Sequence, residues 1–76
     1  MKKNIATNIT KNFGKKVKIE RIKKEFSQDA LAELAGISRA YLGVVERAES
    51  IPSIETAASI ARGLGIELYK LFIFDE

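Results

Sequence analysis

The chain has 76 residues, room for one hydrophobic core and not for two. At 46% hydrophobic and 30% charged, with a formal net charge of +3, its balance is globular rather than disordered or membrane-bound. It contains no Cys and no His, which excludes a disulfide framework, a Cys/His zinc site, and catalysis by a His base or a Cys nucleophile.

In chain order, residues 1–8 read as a basic N-terminal arm, and residues 9–74 as one all-α domain of five helices. The first helix is expected from about Ile9 to Lys24, with Phe13 and Val17 as its i, i+4 apolar stripe. The second starts after Ser27, an N-cap residue, with Asp29 in its first turn. It turns Leu31, Ala32 and Ala35 inward and stops at Gly36. The third is capped by Ser38, buries Leu42 and Val45, and ends near Arg47. Ser50-Ile51-Pro52-Ser53 is a stop signal, and Ser53 caps the fourth helix. Its apolar stripe is Ile54, Ala57, Ile60, Ala61 and Leu64, and Gly63 and Gly65 are expected to end it. A short fifth helix is expected over about Leu68 to Phe72.

The charge is unevenly placed. Residues 1–24 hold nine Lys/Arg against Glu20 alone, a net +8, while residues 25–76 hold four basic and nine acidic residues, a net −5. A basic front of this kind suits a polyanion such as nucleic acid, or serves as a solvated face. No apolar stretch follows Met1-Lys2-Lys3 as a signal peptide requires, and Leu71 to Phe74 is too short an apolar run to span a bilayer. The expectation is a cytoplasmic protein with no membrane partner. Gly63-Leu64-Gly65 is a lone GxG with no third Gly and no preceding strand, so no nucleotide cofactor follows from it.

The informative segment is 28–47. Two short helices flank a turn at Gly36, which supplies the positive φ such a turn needs. Ala32 is small enough for the helices to cross closely. Leu31, Ala35, Ile37, Leu42 and Val45 supply the apolar positions that hold them at a steep angle. This is a helix-turn-helix.

Here the chain resembles the phage repressor/Cro-type helix-turn-helix domains. The resemblance runs from about Phe13 to Phe72. It rests on Phe13-Gly14-Lys15-Lys16-Val17, Arg21, Ser27-Gln28, Leu31-Ala32, Gly36-Ile37-Ser38, Tyr41-Leu42, Val45-Glu46-Arg47, Pro52-Ser53, Ile60-Ala61, Leu64-Gly65-Ile66 and Leu71-Phe72. It implies a compact five-helix domain that docks its third helix, 38–47, in the DNA major groove. Among stand-alone members, the controller proteins of restriction–modification systems are similar in length and in lacking an effector domain.

With Leu42 and Val45 facing in, the opposite face of the third helix presents Arg39, Ala40, Gly43 and Val44 as candidate base readers. Arg39 leads, because a guanidinium fits guanine O6 and N7 bidentately. Candidate phosphate contacts are Gln28, Ser38, Tyr41, Arg47 and Lys16. The resemblance implies that Arg21 and Glu46 form an ion pair aiming the recognition helix. Ile66, Leu68, Tyr69, Leu71, Phe72, Ile73 and Phe74 are too many for one edge of a core this size, and Tyr69, Ile73 or Phe74, with part of the fourth helix, are candidates for a homodimer interface on a palindromic operator. The expected function is transcriptional regulation through double-stranded DNA, without cofactor or small-molecule effector. The alternative is an antitoxin or other protein-interaction module that carries a helix-turn-helix.

Glu25 stands where relatives often have a helix-ending Gly, which implies a left-handed conformation or a different helix end. Ala48 and Glu67 likewise replace a Gly and a capping residue.

Overall fold

The computed structural model describes residues 7–74. Four α-helices follow in order: α1 (Asn8–Lys23), α2 (Gln28–Ala35), α3 (Arg39–Glu46) and α4 (Ile54–Leu64). The fifth element, Leu68–Phe72, is a 3-10 helix rather than an α-helix. Its N-cap, Glu67, makes no side-chain capping bond, so nothing there secures a first α-turn. The described residues contain no strand.

Each α-helix begins on a hydroxyl. Thr7, Ser27, Ser38 and Ser53 accept from the backbone N–H three residues on, at 3.0–3.2 Å. The expected arm therefore ends earlier than residue 8: Thr7 is a cap and Asn8 is helical, while 1–6 lie outside the described residues. Each α-helix also ends on one residue with positive φ. Gly36 and Gly65, both at 74°, close α2 and α4; Glu25 at 61° and Ala48 at 60° follow α1 and α3. The bonding repeats at each end. Phe26 N–H donates to Arg21 O, Ile37 to Ala32 O, Glu49 to Val44 O and Ile66 to Ala61 O, at 2.9–3.1 Å. Gly65 alone is thus the stop for α4. Gly63 lies inside that helix, where a Cβ would stand 3.1 Å from Leu31 and 3.2 Å from the Ala35 backbone nitrogen.

The core is Val17, Leu31, Leu42, Val45, Ile60, Leu64 and Leu71, each almost wholly excluded from water, with Phe13 and four alanines between them. Burying each large side chain contributes about 1.5–3 kcal/mol. α4 packs chiefly on α2; α1 packs on α3 and on the 3-10 helix. At the α1–α3 contact a Cβ on Gly14 would lie 2.5 Å from Val45 O and 2.9 Å from Glu46 O. The two backbones touch there, and only glycine fits.

Candidate nucleic-acid interface

α3 is held at both ends. At its C-terminal end, Glu46 binds Arg21 of α1 bidentately. Nε donates to Oε2 at 2.7 Å and Nη2 to Oε1 at 3.1 Å. The side chains are 11% and 3% exposed, so the pair is nearly enclosed. Arg21 Nη1 also donates to Phe26 O at 3.0 Å, tying the α1–α2 turn to the same pair. The expected ion pair between helix one and helix three is present. No buried side-chain polar atom among the described residues lacks a partner.

At its N-terminal end, Arg39 reaches back to α2. Its Nη1 donates to Gln28 Oε1 at 3.2 Å, and its Nε stands 3.5 Å from Asp29 Oδ1. Gln28 Nε2 in turn donates to Glu46 Oε1 at 3.0 Å. Arg39, Gln28, Glu46 and Arg21 therefore form one bonded series from the exposed start of α3 to α1.

Of the four candidate base readers, Arg39 and Ala40 are exposed and Val44 is half-buried. Gly43 is not on this surface. It is buried, because Arg47 one turn on folds back over it; a Cβ there would meet Arg47 Nη1 at 3.0 Å. Among the candidate phosphate contacts, Ser38 is exposed and Gln28 and Tyr41 are half-buried. Arg47 is exposed and engages Glu49 through two bonds of 3.1 and 3.2 Å. Those hydrogen bonds, and then the charges, raise the Arg47 pKa and hold the Glu49 carboxyl below the usual carboxylate range. Lys16 departs from its expected role. It is 6% exposed with Nζ 3.2 Å from Glu20, so its ammonium is occupied within α1 instead of presented outward.

Tyr69, Ile73 and Phe74 remain 62%, 42% and 36% exposed. They do not fold into the core, although Phe74 stacks edge-on against Phe72, which tilts against Phe13. Ile9, Ile51, Ile54 and Phe72 line an apolar cleft between the starts of α1 and α4.

Two residues at this surface escaped the sequence reading. Asp29 reads only as a first-turn acid of the second helix, and Glu49 belongs to no motif of the sequence. Nothing in their spacing signals that α3 would bring an arginine to each.

The helix-turn-helix family model matches residues 17–71 of the chain. The immunity repressor protein of Bacillus phage phi105 is 38% identical over 55 residues, spanning 72% of this chain and 38% of that protein. The control protein C.SmaI of Serratia marcescens is 40% identical over 45 residues, 59% of this chain and 54% of that protein. The chain thus spans about two-fifths to half the length of these two relatives. The crystal structure of the restriction–modification controller protein C.AhdI from Aeromonas hydrophila superposes with a TM-score of 0.84 at 35% identity. That match covers 87% of this chain and all of that one. The match over 55 of the residues from Val17 to Leu71 settles the relationship: the chain belongs to the helix-turn-helix family.

Proposed function

We propose that the protein is a sequence-specific, non-enzymatic DNA-binding transcriptional regulator of the controller type, reading a palindromic operator as a homodimer in the cytoplasm. The observation that carries this is the fixation of α3. Its two ends are bonded to α1 and α2, and its outer face offers Arg39, Ala40 and Val44. Such a helix fits the major groove, where its N-terminal residues reach base edges. Gln28, Ser38, Tyr41 and Arg47 border that face and are the phosphate contacts of the proposal. The likeness to a controller protein over its whole length supports the choice among regulators.

One protomer covers one half-site, so a two-fold partner doubles the contacts. Tyr69, Ile73 and Phe74 are proposed to form that interface. Their exposure supports it, and Phe74 meets Phe72, which lines the apolar cleft; apolar surface left uncovered in this way marks interaction sites. The same exposure is what an antitoxin-type partner surface would use. The basic first third of the chain favours DNA.

The test is a footprint on DNA selected from a random duplex library, and on the region upstream of the protein's own gene. Two protected half-sites related by a dyad are expected. Protection without sequence preference would overturn the reading.

A further inference from the structure

We infer that Asp29 is a specificity-determining residue: it holds the Arg39 guanidinium for base reading and away from the phosphate backbone. The inference rests on the reader role proposed for Arg39. It follows from what occupies each N–H of that side chain. Arg39 carries five N–H donors and no acceptor. One Nη1 hydrogen goes to Gln28 Oε1, and Nε stands 3.5 Å from Asp29 Oδ1 as an ion pair, not a hydrogen bond. Among the described residues the second Nη1 hydrogen and both on Nη2 have no hydrogen-bond partner, which leaves donors for guanine O6 and N7. The bond to Gln28 and the readout therefore draw on different hydrogens of one planar group, while Asp29 acts on it by charge.

The orientation of Gln28 is dictated from behind. The Glu46 carboxylate only accepts, so it takes the amide N–H; Arg39 only donates, so it takes the amide oxygen. Glu46 is itself fixed by Arg21. Gln28 thus presents its oxygen, and among the described residues Asp29 is the one charge paired with Arg39. The Asp29 and Arg39 side chains are 81% and 56% exposed, so the attraction is modest and screened.

The carboxylate has a second effect. Phosphate contacts depend on net positive charge and carry no sequence information. An arginine already facing a carboxylate gains less from a phosphate, while its geometric match to a base edge is kept. Asp29 therefore weakens binding to arbitrary DNA more than binding to the preferred site.

The experiment measures affinity of the full chain for three duplexes: the site obtained by selection, the same site with the Arg39-contacted base changed, and a random duplex. Asp29→Asn should leave affinity for the selected site within twofold and raise affinity for the other two about three- to fivefold. Discrimination falls by that factor. Asp29→Glu should restore most of it. In an Arg39→Ala background, Asp29→Asn should no longer change the ratio. Equal gains on all three duplexes, or an unchanged effect without Arg39, would mean general repulsion of DNA and would overturn the inference. If Arg39→Ala alone leaves discrimination intact, the reader role itself fails; that outcome is separate from the first. Thermal unfolding of each variant confirms an intact fold.

Discussion

Gly14→Ala adds a methyl where two backbone carbonyls already stand at contact distance. Helix propensity favours alanine by about 1 kcal/mol, but overpacking against backbone that cannot rotate away costs more. A net loss of about 2 kcal/mol is expected, read as a fall of roughly 8–16 °C in Tm. Glu25→Gly acts in the other direction. Relief of the left-handed backbone is worth about 1–2 kcal/mol, and the added freedom of the unfolded chain returns about half of it. Denaturant unfolding should show a gain of about 0.5–1 kcal/mol. Ala48 has the same backbone strain, but its methyl is buried, so Ala48→Gly should change stability little. The missing glycine at Glu25 points to a left-handed residue or a different helix end, and the first is what the chain adopts. The need for Gly14 was not legible, because its cause is a helix 31 residues downstream, and no local pattern announces which glycine another backbone will touch.

At the scale of elements, the serine caps and the glycine stops placed α2, α3 and the start of α4 to within a residue. Those signals act through bonds spanning three or four positions, which is why they are readable in a sequence. The pairing of Arg21 with Glu46 was legible only through the family resemblance. The burial of Gly43 and Lys16 was not legible. The first depends on where the Arg47 side chain one turn on comes to rest. Glu46→Ala should be the most damaging single change at the interface. It strands Arg21 in a nearly enclosed place and frees the amide of Gln28, at a cost of about 3 kcal/mol. Replacing both partners, Arg21→Met with Glu46→Leu, should cost far less in the same unfolding measurement, because no charge is left without its counterpart. A double change as costly as the single one would mean that the pair contributes by packing alone.

At the scale of the whole molecule, charge and apolar surface sit in different places. The excess of basic residues in the first third predicts a steep salt dependence. With roughly four to six phosphates contacted, affinity should drop about 10²–10³-fold between 50 and 200 mM salt. Fluorescence anisotropy on the selected duplex checks it. The apolar end predicts self-association. Sedimentation equilibrium at tens of μM should show dimer, and Ile73→Glu should shift it to monomer with Tm lowered only by the lost association, since that side chain lies outside the core. Wild-type protein that stays monomeric would remove the proposed interface. The contact of the α1 and α3 backbones at Gly14 bears on how any complex forms. Backbone against backbone leaves no layer of side chains to act as a cushion, and the Arg21–Glu46 pair bars rotation at the same point. In the proposed complex α3 would therefore act as a rigid die, and the adaptation would fall to the duplex. In calorimetry, the heat-capacity change of association should then match the area covered and the bending of DNA, with no contribution from folding of the protein.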